Sequence, residues 1–139
     1  MRSEILEEQR SYRAAVQQAL NAEIFFRTGE SELSEQSVER IGRIAGLVAS
    51  MDGFVVRLAG HADGRGAEDY NEQLSAARAA AVRDALIAAG FPSARIAVSA
   101  EGESAAQAAE EDLDALAMER RVQIELVSND SDSRVAARP

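Results

Sequence analysis

Apolar and polar residues alternate in four short stretches of the chain, and this period of two is typical of strands that bury one face. The predicted strands are residues 23–28, 54–60, 95–100 and 120–127. The positions predicted to share one apolar face within their strands are Phe54, Val56 and Leu58, then Ile96, Val98 and Ala100, then Val122, Ile124 and Leu126. Together they predict a sheet with a buried side.

Segments with helical spacing lie between these strands. The predicted helices are residues 3–20, from Ser34 to about Met51, from about 68 to 89, and 110–118. Ser34 suits a helix start because its hydroxyl can accept a backbone N–H, and Gly53 suits the end of that helix. The predicted buried face of this helix is Val38, Ile41, Ile44, Ala45 and Val48, and the last helix carries Leu113 and Leu116.

The order is one helix followed by β-α-β-α-β-(α)-β, which predicts an α/β domain with helices on at least one face of a sheet. The 139 residues suffice for one domain with tails. We predict an amphipathic N-terminal helix or linker at residues 1–21, a folded domain at 22–127 and a disordered tail at 128–139. The N-terminal helix either packs on the domain or acts as a coiled coil or tether, and the second option allows a homodimer.

Composition narrows the possible functions. The net charge of −9 argues against non-specific binding to nucleic acid or to anionic lipid. The absence of cysteine excludes disulfides and thiolate metal sites, and a single histidine excludes multi-histidine metal sites. No stretch is apolar for long enough to cross a membrane, and the N-terminus lacks the apolar core of a signal peptide. We expect either a cytosolic protein or a segment of a longer exported one.

The residues that suggest chemistry lie between 60 and 82. Asp63 directly follows a predicted strand, where open α/β sheets usually place ligand sites. The next helix carries Asn71, Ser75 and Arg78 at helical spacing, so these three side chains share one stripe. One fixed anion and one fixed cation a short distance apart suit a zwitterion, because the planar fork of arginine prefers a carboxylate and Asp63 can accept an ammonium. From residue types alone, an internal Asp63–Arg78 ion pair is the simpler interpretation.

The motif GHADGRG at 60–66, followed by YNEQLSAARA at 70–79, closely resembles the OmpA C-terminal family pattern GHTD-x-x-G and YN-x-x-LS-x-x-RA. The resemblance covers residues 24–127 and includes ERIGRIAGLVASMDGFVVRLAGHAD, Gly102-Glu103-Ser104 and Arg120-Arg121-Val122. It implies a two-layer α/β (α+β) sandwich with a mixed four-stranded sheet. It also implies non-covalent binding of peptidoglycan in the periplasm, where the domain anchors an envelope protein.

In such domains an aspartate and an arginine hold the distal end of meso-diaminopimelate, and they match Asp63 and Arg78. The resemblance further assigns ligand contacts to Asn71, Leu74 and one of two adjacent arginines, for which we choose Arg121 over Arg120. It leaves the parent open among outer-membrane barrels, Pal-like lipoproteins and MotB-like stator proteins. No cofactor, metal, nucleic-acid partner or direct membrane insertion of this segment is expected.

Three positions depart from the family pattern. Ala62 replaces the usual threonine, Gly29 replaces an Asn or Asp of the first turn, and Glu119 replaces the Asn before the two arginines. The alternative function is therefore a fold that has lost its ligand and serves as a docking or dimerisation module. A hydrolase that uses Asp63 with Glu101 or Glu103 is not predicted, since no triad, nucleophile elbow or metal-ligand spacing accompanies them. His61 is predicted to be structural.

Overall fold

The computed structural model describes residues 21–49 and 53–128, and in it four strands form one mixed sheet. The strands are β1 (Ala22–Phe25), β2 (Phe54–Gly60), β3 (Ile96–Ala100) and β4 (Arg121–Ser128), arranged β1-β4-β2-β3. Only β2 and β3 are parallel, and β4 is antiparallel to both β1 and β2. The predicted N-terminal helix, its homodimer and nearly all of the predicted tail lie outside the described residues.

Within the described residues, three helices accompany the sheet: α1 (Glu35–Val48), α2 (Glu68–Ala88) and α3 (Leu113–Glu119). Ser34 caps α1, since its Oγ accepts from the Ser37 N–H at 3.1 Å. Asp112 caps α3 in the same way by accepting from the Ala115 N–H. A 3-10 turn at Ser93–Arg95 leads into β3. In the described ranges no helix combines the length and hydrophobicity needed to cross a membrane.

The core lies between the helices and the alternating apolar positions of the sheet. Its buried residues from the strands include Ile24, Val56, Leu58, Val122, Ile124 and Leu126, and those from the helices include Ile41, Ile44, Val48, Val82 and Leu86. Burying one such side chain contributes about 1.5–3 kcal/mol. The two-layer α/β fold and the alternating patterns of β2 and β4 are confirmed.

Three details of the sequence prediction are wrong. Val38, which was predicted to be buried, is 49% exposed in the first turn of α1. Val98 is 42% exposed because β3 is an edge strand, so its apolar face is only partly covered. The first strand ends at Phe25 rather than at residue 28, and the chain then bends so that the carbonyl of Arg27 accepts a hydrogen bond from the distant Arg78.

The carboxyl end of β2 lies directly against α2. Gly60 faces Ser75 so closely that an added Cβ would overlap the Ser75 carbonyl. Ser75 Oγ in turn accepts from the Gly102 N–H at 2.9 Å, and the Gly102 carbonyl accepts from the Ala62 N–H at 2.8 Å. These contacts fix the first half of α2, which carries the candidate site residues, against the ends of β2 and β3.

Candidate ligand-binding cleft

A cleft of about 240 Å³ lies between the turn after β1, the loop after β2 and the first half of α2. Its lining residues are Thr28, Gly29, Ala62, Asp63, Arg65, Gly66, Tyr70, Asn71, Leu74 and Arg78. Four of the five residues predicted to bind the ligand, Asp63, Asn71, Leu74 and Arg78, therefore lie on one cleft. Arg121 does not line it. The volume is below the 300–1,000 Å³ range of drug-sized pockets, so the cleft suits the end of one side chain.

The Asp63 carboxylate is nearly buried and is held by Arg65. Its Oδ1 accepts from the Arg65 backbone N–H at 3.0 Å and from Nε at 3.2 Å, and its Oδ2 accepts from Nη2 at 2.9 Å. The backbone contact forms a local turn in which an aspartate binds the N–H two residues later. Arg120 adds a second positive charge, with Nη1 3.6 Å from Asp63 Oδ2.

Burial pushes the pKa of Asp63 upward, but hydrogen bonds from Arg65 and the charges of Arg65 and Arg120 outweigh it. The net pKa of Asp63 is therefore below its ordinary value, and the side chain is a carboxylate at neutral pH. A carboxylate that stays charged in a small cleft is suited to accept an ammonium.

The Arg78 guanidinium is fully buried at the floor of the cleft. Its Nε donates to the Glu30 carbonyl at 2.9 Å, Nη1 to the His61 carbonyl at 3.0 Å and Nη2 to the Arg27 carbonyl at 3.1 Å. The Phe26 ring lies 5.4 Å from its Cζ. Three of the five N–H groups of a guanidinium are thus used to fix the turn after β1 against the loop after β2.

The charge of Arg78 persists in this environment. Burial is the main cause that lowers the pKa of Arg78 to about 10, and Arg120 adds to the effect while Asp63 and Tyr70 oppose it. Arg78 is therefore protonated at neutral pH. The internal Asp63–Arg78 ion pair considered from the sequence does not form among the described residues, since Asp63 pairs with Arg65 and Arg120 instead.

Asn71 connects the loop after β2 to the loop after β3. Its Nδ2 donates to the Arg65 carbonyl at 2.8 Å and to Glu103 Oε1 at 3.2 Å. Glu101, the other carboxylate considered for catalysis, accepts instead from the Ser99 hydroxyl at 3.0 Å. No cluster of three or more His, Asp or Glu side chains that could hold a metal occurs within residues 21–49 and 53–128.

The two adjacent arginines point to different partners, as neighbours on a strand do. Arg120 reaches toward Asp63 and donates through Nε to the Phe26 carbonyl at 3.0 Å. Arg121 Nε lies 3.7 Å from Glu23 Oε2, and Arg121 Nη1 donates to the Met118 carbonyl at 3.3 Å. Arg120 is thus the one beside the cleft, whereas the sequence prediction chose Arg121.

The departures from the family pattern have local structural roles. Gly29 has a φ of 70°, a left-handed conformation that glycine adopts readily. Glu119 orders the loop after β3, because its Oε2 accepts from the backbone N–H groups of Gln107 and Ala108 at 2.6 and 3.1 Å. Ala62 is buried and bears no hydroxyl to offer a ligand.

The His61 side chain is buried and contacts a strand side chain rather than the loop backbone. Its Nε2 is 3.0 Å from Gln123 Oε1, and burial lowers the pKa of His61. The imidazole is therefore neutral at neutral pH, and its backbone carbonyl is one of the three that hold Arg78.

Arg65 and Arg120 were not foreseen as partners of Asp63. Arg65 is only two residues from Asp63, so their spacing in sequence was available as a signal. Arg120 is 57 residues away, and only the pairing of β4 with β1 and β2 brings it to the cleft.

Fold and cleft together define a two-layer α/β domain with a small charged cleft beside the carboxyl end of one strand. The chain belongs to the OmpA family, whose sequence model matches residues 25–121. The peptidoglycan-associated lipoprotein of Rhizobium meliloti is 33% identical over 98 residues, which cover 70% of this chain and 56% of the relative. Outer membrane protein A of Bordetella avium is 30% identical over 115 residues, 83% of this chain and 59% of that protein.

Solved structures share the fold. The peptidoglycan-associated lipoprotein from Burkholderia pseudomallei superposes with a TM-score of 0.71 at 25% identity, over 76% of this chain and 89% of that one. The C-terminal domain of Helicobacter pylori MotB gives a TM-score of 0.70 at 19% identity, over 85% of this chain and 98% of that one. The resemblance stated from the sequence is confirmed. The chain spans less than two thirds of the curated relatives described above.

The lowered pKa of Asp63 predicts a pH-dependent contribution to stability. Because the folded-state pKa is below the unfolded value of about 3.9, the contribution is present above that value and is lost as pH falls through the folded-state pKa. We expect the free energy of unfolding at pH 7 to be larger for the parent than for Asp63→Asn. The difference between the two proteins should become smaller below about pH 4. Urea denaturation from pH 7 to pH 2.5 measures this.

Asp84→Asn is the matched control, since Asp84 is exposed and pairs with Arg83 on the surface of α2. An exposed pair of this kind contributes about 0–1 kcal/mol, so its removal should change stability little at any pH. A parent–Asp63→Asn difference that stays constant down to pH 2.5 would contradict the prediction.

Proposed function

We propose that this domain binds diaminopimelate-containing peptidoglycan stem peptides non-covalently, through Asp63 and Arg78. The observation that carries the proposal is the position of an ionised carboxylate and a protonated guanidinium on one cleft of side-chain size, in a member of the OmpA family. The names of relatives agree with it, since two are called peptidoglycan-associated lipoproteins.

The distal end of diaminopimelate carries an ammonium and a carboxylate on one carbon, so its two partners must lie close together. In the proposed complex the ligand ammonium donates a charge-assisted hydrogen bond to the Asp63 carboxylate. This bond replaces the water that the ammonium loses when it enters the cleft. The carboxylate accepts from the N–H groups of Arg78 that the backbone carbonyls do not use. Leu74 is half-buried on the same cleft and contacts the aliphatic part of the ligand side chain.

Two further residues support this arrangement. Asn71 fixes the loop that carries Asp63 and Arg65, through its bond to the Arg65 carbonyl. Arg120 takes the place of Arg121 in the proposal, because it is Arg120 whose charge reaches Asp63. Neither role involves covalent chemistry, and we propose that the domain is a binding module and not an enzyme.

The proposed cellular role is to anchor an envelope protein to the cell wall from the periplasm. Relatives named as outer membrane protein A and as peptidoglycan-associated lipoprotein favour an envelope location. The chain spans 56% and 59% of the length of those two relatives, so the proposal concerns the matched domain alone.

One observation favours the alternative of a docking module that has lost its ligand. Asp63 is occupied by Arg65, and Arg78 already donates three hydrogen bonds to backbone carbonyls. Both charges therefore have a structural role that needs no ligand. A binding measurement with the cell wall separates the two functions.

The test is co-sedimentation with purified diaminopimelate-type sacculi for the parent, Asp63→Asn and the surface control Asp84→Asn. Loss of a charge-assisted contact of about 1.5–3 kcal/mol predicts that Asp63→Asn binds roughly 10–150-fold more weakly. The control should bind like the parent. Equal sedimentation of Asp63→Asn and the parent would remove Asp63 from the site, and no sedimentation of the parent would favour the docking alternative.

A second comparison tests the assignment of Arg78. Lysine-type peptidoglycan lacks the distal carboxylate, so Arg78 would lose its partner, and the parent should bind this wall type at least about tenfold more weakly. Comparable affinity for the two wall types would contradict the role of Arg78.

A further inference from the structure

The side chain of Arg65 lies across the cleft from Asp63 to Thr28. Its Nε and Nη2 contact the two oxygens of Asp63, and Nη2 also donates to Thr28 Oγ1 at 3.2 Å. Asp63 and Thr28 both line the cleft, so the guanidinium bridges two of its walls. The Arg65 side chain is 32% exposed, whereas that of Asp63 is 8% exposed.

This position makes Arg65 a competitor for any cation that binds Asp63. The two side-chain hydrogen bonds from Arg65 form a bidentate contact with the carboxylate, which is the strongest arrangement that an arginine and an aspartate make. A ligand ammonium that binds the same oxygens of the Asp63 carboxylate must displace this guanidinium. The binding of a cation at Asp63 therefore requires a new partner for Arg65.

The displaced guanidinium stays close to the cleft because the backbone of Arg65 is fixed on both sides. The Arg65 N–H donates to Asp63 Oδ1, and its carbonyl accepts from Asn71 Nδ2 at 2.8 Å. Rotation about the side-chain bonds moves the charge without moving this backbone. Arg78, in contrast, is fully buried and has only two N–H groups beyond those that bind carbonyls.

We propose that Arg65 determines specificity by exchanging partners: it leaves Asp63 when the ligand ammonium arrives and binds the carboxylate on the same ligand carbon. The inference rests on the proposed function and names a residue that selects the ligand within it. A ligand with both groups replaces one Arg65–carboxylate contact with another. A ligand that carries only the ammonium offers Arg65 no carboxylate in exchange for that of Asp63, so Arg65 penalises lysine-type peptides.

The experiment measures the dissociation constants of two synthetic stem peptides that differ only in meso-diaminopimelate or lysine. Both are titrated into the parent, Arg65→Gln and Arg65→Lys. The readout is the dissociation constant of the lysine peptide divided by that of the diaminopimelate peptide, measured within each protein. A smaller folded fraction in a variant changes both constants by the same factor, so it cancels in this ratio. Arg83→Ala is the matched control, because it removes an arginine that pairs with a neighbouring aspartate on the exposed face of α2.

We expect Arg65→Gln to lower the ratio by about tenfold or more. The diaminopimelate peptide loses a charge-assisted contact and binds more weakly, whereas the lysine peptide no longer competes with Arg65 for Asp63 and binds more tightly. Arg65→Lys should give an intermediate ratio, since an ammonium cannot make the bidentate contact. Arg83→Ala should keep the ratio of the parent.

An unchanged ratio in Arg65→Gln, with a parent that prefers diaminopimelate, would overturn the role of Arg65 and leave the proposed function intact. A parent that binds both peptides equally would also overturn it, together with the carboxylate role of Arg78. A parent that binds neither peptide would overturn the proposed function itself.

Discussion

Replacing Arg78 with alanine is expected to lower the free energy of unfolding by about 3–5 kcal/mol. The guanidinium is fully buried and holds three backbone carbonyls, those of Arg27, Glu30 and His61. The buried His61 carbonyl would lose this partner at a cost of about 1–3 kcal/mol. The part-buried carbonyls of Glu30 and Arg27 add less, because water can replace the guanidinium and the Arg27 carbonyl also accepts from the Glu30 N–H. The space left by the fully buried side chain adds a further cost. Because domains of this size are stable by about 5–15 kcal/mol, the loss is a large fraction of the whole.

Urea denaturation of Arg78→Ala, Arg78→Lys and Arg83→Ala measures this effect. Arg78→Lys should also be destabilised, because a compact ammonium cannot reach three carbonyls that a planar fork reaches together. Arg83→Ala, which removes an arginine of the same helix whose side chain is 43% exposed, should stay within about 0.5 kcal/mol of the parent. If Arg78→Ala were as stable as Arg83→Ala, the guanidinium would not hold the turn after β1 as the structure indicates.

The structural role of Arg78 complicates binding measurements on variants of this residue. A variant that unfolds the turn after β1 loses binding whether or not the arginine contacts the ligand. Comparing two ligands within one protein avoids the problem, and for this reason the role of Arg78 is tested with two wall types on the parent. Asp63→Asn suits direct comparison better, because the amide keeps the shape of the carboxylate and can still accept from Arg65.

Gly60→Ala is expected to cost about 3 kcal/mol or more, at the upper end of what overpacking costs. The added Cβ would overlap the Ser75 carbonyl and lie 3.1 Å from Ala79 Cβ. A backbone carbonyl inside a helix cannot rotate away, so α2 itself must move from the end of β2. That movement would separate Arg78 on α2 from the carbonyl of His61 in the loop after β2.

Thermal and urea denaturation of Gly60→Ala and Gly46→Ala test this. Gly46 is a suitable control because it lies in α1, is exposed, and an added Cβ meets no atom within 4 Å. Alanine there should be neutral or stabilise the protein by up to about 1 kcal/mol, since it favours a helix more than glycine does. Equal stability of the two variants would show that β2 and α2 separate at little cost.

The local pattern of residues was enough to predict most of the elements. Alternation gave the bounds of β2 directly, and it identified the inward positions Val122, Ile124 and Leu126 of β4. These predictions succeeded because a half-buried strand must alternate whatever its neighbours are. Ser34 and the helical spacing of Ile41, Ile44 and Val48 located α1 for the same reason, since caps and periodic faces are properties of short segments.

The errors occurred where exposure depends on neighbours. Val38 and Val98 are apolar residues at the right spacing, yet Val38 lies in the first turn of α1 and Val98 lies on an edge strand. No local pattern states which strand is at the edge, because strand order follows from packing of the whole sheet. The early end of β1 has a similar cause, since the distant Arg78 binds the turn that follows it.

The sequence by itself determined the charged pair, because Asp63 at a strand end and Arg78 on the next helix are set by short-range spacing. Only the tertiary structure decided most of what the two charges contact. Arg65 is two residues from Asp63, but Arg120 comes from the residue before β4, and three carbonyls from two loops converge on Arg78. Partners of a buried charge are set by the need to satisfy every donor and acceptor in the folded chain, and that condition involves residues far apart in sequence.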